Sequence, residues 1–274
     1  MARERIPRII HYCWFGKGEM PELYKKCIDS WKKHLKGYKF VCWNEDNFDV
    51  NSHHFTKEAY AAKKYAFVSD YVRLWALYNY GGIYIDADVE VLRPLDEFLR
   101  FRAFTGCENE GSIPTGIMGA EPHHPWIELL LKYYDYINFD KEKICNLVNV
   151  LIITDLTIFF YDWKPKGGYQ ILRDDIHIFP YYYFCPIFLG KLKIRKKTYS
   201  IHHFGSSWVI NRKGNILKRS LRKFLNFLSY DQLIALRKLY FSFYYLIFFK
   251  FFNKKTKLKK SFLKKFSDEI DERL

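Results

Sequence analysis

The sequence lacks several features that would assign it quickly to a known class. Its six cysteines, at positions 13, 27, 42, 107, 145 and 185, form no Cys-x-x-Cys pair, which argues against a zinc ribbon or a thioredoxin-type redox site. It contains no glycine-rich phosphate loop and no internal repeat. The apolar run over residues 239–252 is shorter than the roughly 20 residues that a transmembrane helix needs. Scattered single thiols instead indicate buried cysteines in a reducing compartment.

The chain is rich in core-forming residues. It has 274 residues, of which 49% are hydrophobic and 20% aromatic. This length corresponds to one large domain or two modest ones, and the composition is that of a folded chain with a large core.

The charge is unevenly distributed along the chain. Residues 1–190 contain 23 Lys and Arg against 25 Asp and Glu, whereas residues 191–274 contain 22 against 5. Within the basic part, the aromatic run over 239–252 precedes the lysine-rich stretch 254–266, a composition that favours an interfacial helix on an anionic membrane. Two alternatives are a core helix packed on the main domain and a solvated or nucleic-acid-binding tail. Because no known nucleic-acid-binding motif is present, we expect no nucleic-acid partner.

Strands alternate with helices in the first half of the chain, which predicts an α/β domain with a largely parallel sheet. Strands are predicted at 6–15, 38–43, 83–85, 103–108, 116–120, 176–184 and 198–204. Helices are predicted at 21–35, 56–80 with a break near residue 65, 125–137, 141–161 and from about 216 onward. We therefore expect a main α/β domain over 1–215 and a helical, basic and aromatic membrane-surface extension over 216–274.

The sharpest local signal is an acidic pair at the end of an apolar strand. In the segment YGGIYIDADVEV, residues 80–91, Asp86 and Asp88 directly follow the strand. Ligands of open α/β sheets bind at the carboxyl ends of strands, and carboxylate oxygens suit Mg²⁺ or Mn²⁺. The pair therefore indicates a metal-bound nucleoside diphosphate, although an Asp-x-Asp alone is weak evidence because acidic pairs are common in loops.

A second charged pair lies upstream of this strand. Asp70 and Arg73 are three residues apart in a predicted helix and so share one helix face. They are interpreted as a positioned pair at a polar ligand, the alternative being a surface ion pair of little energetic value.

Three blocks of the sequence, in order, resemble glycosyltransferase family 32, the DXD-motif sugar transferases, and in particular their bacterial capsular-polysaccharide type. The central block is AFVSDYVRLWALYNYGGIYIDADVEVLRPLD, residues 66–96. The opening IPRIIHYCWFGKGEMPE, residues 6–22, and the segment SIHHFGSSW, residues 200–208, match at either side. Together the blocks span roughly residues 6–208, which is far more specific than the acidic pair alone.

The resemblance implies a GT-A-like fold, a Rossmann-related mixed sheet flanked by helices. It also implies a nucleotide-sugar donor, a divalent Mn²⁺ or Mg²⁺ ion and retention at the anomeric carbon. Asp88 would be the principal metal ligand and Asp86 would contact the donor ribose or the metal. His202 would be a third metal ligand, with His203 as the alternative that spacing does not exclude.

The resemblance further implies how the donor is held. Asp70 and Arg73 would bind the sugar hydroxyls and the diphosphate side. Trp14 would stack on the base, with Tyr12 as a weaker candidate. The Ser207-Trp208 pair would close over the diphosphate as a lid.

The expected activity is transfer of a sugar, with a UDP-sugar favoured, to a hydroxyl of a capsular, O-antigen or other surface polysaccharide. The acceptor would be a glycan or a lipid-linked glycan, and the protein would lie in the cytoplasm on the inner face of the plasma membrane. One alternative is a haloacid-dehalogenase-like phosphatase, but Glu90 stands where that class has Thr or Val. The other is a non-catalytic basic membrane- or nucleic-acid-binding protein, which leaves the acidic strand end unexplained.

Overall fold

The structure is a computed structural model. It describes residues 3–109, 111–113, 116–142, 144, 147–165, 168–188, 191–205 and 266. The chain divides into two units, 1–213 and 214–274, and every element discussed below lies in the first. The predicted helical extension over 216–274 and its boundary therefore lie outside the described residues, apart from Phe266. In the described part of the chain, no helix has the length and apolar character needed to cross a bilayer.

The elements of the first unit alternate at the start and become strand-rich later. The first half runs β1 (Ile9–Cys13), α1 (Glu22–His34), β2 (Lys39–Trp43), α2 (His54–Ala61), α3 (Tyr65–Tyr80) and β3 (Gly82–Ile85). The second half runs β4 (Val89–Val91), β5 (Ala103–Gly106), β6 (Ile117–Ala120), α4 (Pro125–Lys132), α5 (Asn149–Tyr161), β7 (Gln170–Leu172), β8 (Ile176–Phe179), β9 (Ile187–Phe188), β10 (Lys191–Leu192) and β11 (Ser200–His202).

Seven strands form a mixed sheet in the order β2-β1-β3-β6-β5-β8-β7. The pairs β1–β2, β1–β3 and β5–β8 are parallel, whereas β3–β6, β5–β6 and β7–β8 are antiparallel. The predicted α/β class, with a mixed sheet flanked by helices, is confirmed. The narrower expectation of a largely parallel sheet is wrong, because β5 returns to β6 over a short connection and antiparallel neighbours need no helical crossover.

The predicted helices between residues 21 and 161 are confirmed at their positions, but two have different bounds. The break expected near residue 65 separates α2 from α3. The predicted helix over 125–137 ends as an α-helix at Lys132 and continues as a 3₁₀ turn to Tyr136. The predicted helix over 141–161 begins as an α-helix only at Asn149. This late start places the amino end of α5 at the site described below.

Two glycines connect α3 to the central strand β3. Gly81 has a φ of 61° and Gly82 a φ of 107°, conformations that residues with a side chain rarely adopt. A Cβ on Gly82 would lie 2.6 Å from the Ile9 carbonyl oxygen of β1. The buried His11 side chain fixes the turn, because its Nε2 lies 2.8 Å from the Gly81 oxygen. These two glycines therefore allow the helix to turn directly into the centre of the sheet.

We predict that Gly82→Ala lowers the free energy of unfolding by about 3 kcal/mol, because it adds a backbone clash to an unfavourable φ. Gly37→Ala, with a φ of 78° and open space around its Cβ position, should lose only about 1 kcal/mol. Gly18→Ala, with no atom within 4 Å of the added Cβ, should lose nothing measurable. Urea unfolding of the three variants checks this order, and equal losses at positions 37 and 82 would contradict it.

Candidate active site

The acidic pair lies at the carboxyl end of β3, as its sequence context predicts. The Asp86 amide donates to the Gly116 carbonyl at 2.9 Å, which holds the strand end against the loop before β6. The Val89 amide donates to the Asp86 carbonyl at 2.9 Å and closes a tight turn between β3 and β4. This turn places Asp86 and Asp88 in the lining of one cavity of about 590 Å³.

A separate antiparallel ribbon brings a histidine to this pair. Strand β11 pairs with β4, with His202 opposite Val89 and Ile201 opposite Glu90. The His202 Nε2 lies 3.3 Å from the Asp88 Oδ1. One ligand atom from each of Asp86, Asp88 and His202 lies within 4.8 Å of the others. The three residues therefore form a cluster that could hold a metal ion.

Asp88 is partnered on both carboxylate oxygens. Its Oδ2 accepts a hydrogen bond from the Gly205 amide at 2.7 Å, and its side chain lies against His202. Burial alone would raise the pKa of Asp88, but the bonds from His202 and Gly205 outweigh burial and hold the pKa below its usual range. Burial likewise works to lower the pKa of His202, yet the Asp88 carboxylate and Cys185 hold it well above its usual value. Asp88 is therefore a carboxylate anion, as a metal ligand must be.

His203, the alternative third ligand, lies elsewhere. Its Nε2 is 2.9 Å from the Glu90 Oε2, and it does not line the cavity. Adjacent residues of a strand point to opposite faces, so only one of the two histidines can face the acidic pair. The pairing of β11 with β4 selects His202.

Arg73 is the second charged centre of the site, and it is almost fully buried at 4% exposure. Its Nη2 lies 2.8 Å from the Asp70 Oδ1 and 3.2 Å from the Asp86 Oδ1. Its guanidinium stacks over the Tyr84 ring at 4.5 Å, and the Tyr84 hydroxyl donates to Asp86 at 2.9 Å. Burial lowers the pKa of Arg73, but Asp86, Tyr84 and Asp70 together raise it above its ordinary value, so the residue stays charged.

Asp70 is less exposed than its position on the predicted helix indicated. Burial raises the pKa of Asp70 to about 6, more than the Arg73 charge and a hydrogen bond from Asn149 lower it. The Asn149 Nδ2 donates to the Asp70 Oδ1 at 3.1 Å. The pair predicted on one face of α3 is therefore a buried ion pair in the cavity wall, not a surface one.

The two aromatic candidates of the opening block are separated by the structure. Trp14 lines the cavity, its Nε1 donates to the Gly18 carbonyl at 2.8 Å, and Tyr24 packs edge-on against it at 5.4 Å. Tyr12 does not line the cavity, because α1 covers it and its ring packs edge-on against Trp31 at 5.4 Å. Of the two, Trp14 alone is placed where a bound molecule could stack on it.

The remaining site predictions concern two residues near the end of the first unit. Ser207 and Trp208, the predicted lid, lie outside the described residues. The last described residues of the preceding segment, Phe204 and Gly205, lie beside the metal cluster, where Phe204 stacks on His202 at 4.2 Å.

The cavity also contains residues that the sequence did not single out. The additional wall residues include Tyr24, Lys64, Tyr84, Glu108, Val148, Asn149 and Val150. Tyr84 could have been found, because it alternates with the buried Ile83 and Ile85 in the strand that leads to Asp86. Asn149 could not, because the expected helix over 141–161 placed it far from a helix end.

The donor set fits a divalent cation. Two carboxylates and an imidazole are common ligands of Mn²⁺, and Asp88 is held in the required ionised state. His202, whose pKa Asp88 and Cys185 raise, must lose its proton to become a ligand, so cation binding displaces that proton. The sequence-based expectation of Mn²⁺ or Mg²⁺ is thus matched by a suitable cluster, while the identity of the metal stays a prediction.

Comparison with known proteins finds a family model that matches part of the chain. Residues 21–105 match the family described as "Glycosyltransferase sugar-binding region containing DXD motif". The match includes Asp70, Arg73, Asp86 and Asp88, whereas Trp14 and His202 lie outside it. The resemblance to DXD-motif sugar transferases is therefore confirmed for this region.

Two of the similar curated proteins are fungal mannosyltransferases. The chain is 27% identical over 225 residues to inositol phosphoceramide mannosyltransferase 2 of Schizosaccharomyces pombe, which covers 77% of the chain and 61% of that protein. It is 28% identical over 181 residues to the mannosyl phosphorylinositol ceramide synthase SUR1 of Saccharomyces cerevisiae, covering 62% and 44%. The chain thus spans less than two thirds of the length of these relatives. The narrower capsular-polysaccharide assignment stays a prediction.

Two solved structures are similar to the chain. One is the PaToxG glycosyltransferase, with a TM-score of 0.45, 18% identity, and coverage of 57% of this chain and 69% of that one. The other is a glycosyltransferase involved in glycosylation of the major capsid of PBCV-1, with a TM-score of 0.45, 14% identity, and coverage of 81% and 100%.

We predict that Arg73→Met lowers the free energy of unfolding by about 3 kcal/mol, because it leaves two partly buried carboxylates, Asp70 and Asp86, without their counter-charge. Arg8→Met is the matched control, since Arg8 also pairs with two carboxylates, Glu4 and Asp96, but at the surface. It should cost no more than about 1 kcal/mol. Chemical denaturation measures the free energy of unfolding of both variants. Similar losses would show that the buried ion pairs stabilise the fold no more than the surface ones.

Proposed function

We propose that the chain is a glycosyltransferase that moves a sugar from a nucleotide-sugar donor to a hydroxyl group. The observation that carries the proposal is the meeting of Asp86, Asp88 and His202 with the Asp70–Arg73 pair in one cavity. Carboxylates beside the buried guanidinium of Arg73 suit a ligand that has both a diphosphate and hydroxyl groups. The family match over residues 21–105 supports the same chemistry. The GT-A-like fold expected from the resemblance is consistent with this role.

Asp86, Asp88 and His202 would hold a divalent cation. Such an ion, when bound, supplies positive charge that stabilises the departing diphosphate. Tyr84 and Arg73 orient the Asp86 carboxylate, and the Gly205 amide orients that of Asp88. Because these partners are fixed by β3, α3 and the segment after β11, the ligand oxygens are positioned before the substrate arrives.

The other wall residues would position the donor. Trp14 offers a ring face for the base, since stacking tolerates either uracil or guanine. Asp70 would accept hydrogen bonds from sugar hydroxyls. The sequence-based role of Arg73 at the diphosphate is extended here, because its buried guanidinium also bridges the Asp70 and Asp86 carboxylates.

We further propose retention at the anomeric carbon. In this route the leaving phosphate oxygen takes the acceptor proton on the same face of the sugar, so no dedicated protein base is needed. A double displacement would instead need a carboxylate on the opposite face, and Glu108 is a cavity residue that could be tested for that role.

A UDP-sugar stays our favoured donor, and the names of the fungal relatives add a mannosyl donor as the next to test. Those names also support a lipid-linked acceptor, alongside the expected surface-polysaccharide acceptor. Peripheral attachment to the inner membrane face through the basic region over 216–274 remains part of the proposal, supported by its charge.

The first test measures both metal binding and hydrolysis of the donor. With wild type, we expect Mn²⁺ to promote binding and slow hydrolysis of one donor from a panel of UDP-glucose, UDP-galactose, UDP-N-acetylglucosamine and GDP-mannose. Asp88→Asn should weaken Mn²⁺ affinity at least about 10-fold and abolish the hydrolysis, because it removes a charged ligand. Metal titration and nucleotide release are the two measurements.

Glu90→Gln is the control for this test, because Glu90 lies two residues from Asp88 but pairs with His203 outside the cavity. It should bind Mn²⁺ as wild type does. Unchanged Mn²⁺ affinity in Asp88→Asn would contradict the metal site. Hydrolysis of p-nitrophenyl phosphate without any nucleotide-sugar turnover would favour the phosphatase alternative.

The raised pKa of Asp70 predicts an acidic limit to activity. If the ionised carboxylate binds the sugar, kcat/KM should be constant above pH 7 and fall as the pH drops through about 6, because protonation removes the acceptor and its pairing with Arg73. Asp70→Asn should be slower at all pH values and lose this inflection. Asp29→Asn, an exposed change on α1, should keep the wild-type profile. An inflection near pH 4 in the wild-type profile of kcat/KM would contradict the prediction that burial raises the pKa of Asp70.

A further inference from the structure

Residues 191–197, here called the basic segment, expose apolar side chains among a dense set of cations. The sequence KLKIRKK has Lys or Arg at five of its seven positions. The other two, Leu192 and Ile194, are 48% and 55% exposed, although large aliphatic side chains are usually buried. No Asp or Glu occurs between Asp175 and Asp231, so the neighbouring sequence offers no carboxylate to offset these charges.

A tight turn presents two of the lysines to solvent. The Thr198 amide donates to the Arg195 carbonyl at 3.0 Å, and the Arg195 amide donates to the Thr198 Oγ1 at 2.9 Å. Lys196 and Lys197 therefore occupy the two central positions of a β-turn, and both are exposed. The exposed Arg195 guanidinium lies over the half-buried Tyr182 ring, 4.7 Å from its centroid.

The folded domain holds the basic segment from both sides. At its start, the Lys193 amide donates to the Pro186 carbonyl at 3.3 Å. After it, three successive residues donate hydrogen bonds at 2.7–3.1 Å to three successive carbonyls, in the pairs Thr198–Tyr182, Tyr199–Tyr183 and Ser200–Phe184. The segment is thus a fixed part of the surface of the first unit, and its exposed side chains are displayed at set positions.

The chemistry of the segment favours one class of partner over two others. A second copy of the chain would bring cations against cations, which repel each other. A nucleic acid would match the charge, but Leu192 and Ile194 neither stack on bases nor hydrogen-bond to them. An anionic lipid surface matches both features, because its phosphates attract Lys and Arg while its interfacial layer accepts apolar side chains.

We propose that the basic segment docks on an anionic lipid surface, with Leu192 and Ile194 entering the headgroup layer and Arg195, Lys196 and Lys197 meeting lipid phosphates. This contact belongs to the first unit and is separate from the attachment proposed for residues 216–274.

Docking of this segment has a consequence for the candidate site. Strand β11 follows the turn and ends at His202, so the Cα atoms of Lys197 and His202, five residues apart, lie within about 18 Å of each other. The lipid surface would therefore lie close to the candidate metal ligands. This consequence, unlike the docking itself, rests on the proposed function, because it brings a lipid-linked acceptor towards the cavity.

The test measures partition of the full chain onto vesicles of phosphatidylcholine containing one third phosphatidylglycerol. The double variant Lys196→Gln/Lys197→Gln should bind about 30-fold more weakly than wild type, because it removes two cations from the lipid contact. Ile194→Ser should bind about 5-fold more weakly at unchanged charge. Vesicles of phosphatidylcholine alone should bind wild type far less, since they lack the anionic phosphates.

Two variants on α1 are the matched controls. Lys32→Gln/Lys33→Gln removes the same charge from two adjacent exposed lysines, and Leu23→Ser removes an aliphatic side chain that is 37% exposed. Both should bind the anionic vesicles within 2-fold of wild type. Equal losses in the two double variants would show that net charge alone matters, and this result overturns the proposal. Wild-type binding by all four variants also overturns it and leaves attachment to residues 216–274.

Amide hydrogen exchange locates the contact in the wild-type chain. Anionic vesicles should slow exchange in a peptide that covers residues 191–197, whereas a peptide from α1 should exchange as it does without vesicles. No slowing over 191–197 would contradict the proposal. Tighter binding of a single-stranded oligonucleotide than of vesicles, lost in Lys196→Gln/Lys197→Gln, would assign the segment to nucleic acid instead.

Donor hydrolysis separates this proposal from the proposed function. Without vesicles, Lys196→Gln/Lys197→Gln should hydrolyse the donor at the wild-type rate, because neither lysine lines the cavity. Vesicle binding that fails in the predicted pattern while hydrolysis persists would refute the docking surface alone. Vesicle binding in the predicted pattern by a chain that hydrolyses no donor would refute only the proposed function.

Discussion

The site depends on one buried cation held between two carboxylates. Arg73 joins Asp70 of its own helix to Asp86 at the end of the central strand, and its guanidinium rests on the Tyr84 ring. Each of these charges would be costly to bury alone, so the three stabilise one another only when α3 and β3 are correctly docked. The Gly81-Gly82 turn makes that docking possible by letting the helix turn directly into the strand. The position of Asp86 and Asp88 thus depends on the ion pairs that Arg73 makes with Asp70 and Asp86.

The local part of this arrangement was predictable from the sequence. Asp86 and Asp88 follow an apolar strand, and strand ends in α/β sheets are where ligands bind. Asp70 and Arg73 were predictable as neighbours because a helix places residues i and i+3 on one face. Their burial was not, since the periodicity of α3 does not show that β3 and the start of α5 cover that face. Short-range pattern therefore identified these side chains but not their environment.

The long-range part could not be predicted in the same way. The choice between His202 and His203 depends on the register of β11 against β4, which no local spacing encodes. Tyr12 lies outside the cavity because α1 packs over it, a tertiary contact invisible to strand alternation. Asn149 was missed because the apolar segment 141–161 was predicted to form one long helix. The helix instead begins at Asn149, the residue that donates a hydrogen bond to Asp70.

The ribbon of β4 and β11 has a consequence for the time at which the site becomes complete. Strand β11 lies outside the seven-stranded sheet, whose last strand in chain order is β8. A nascent chain that has emerged only that far would possess the acidic pair but neither His202 nor the Gly205 amide that orients Asp88. Ordering of the cluster is thus coupled to synthesis of a late segment. The third candidate ligand and the backbone donor to Asp88 are thus the last parts of the described site to be synthesised.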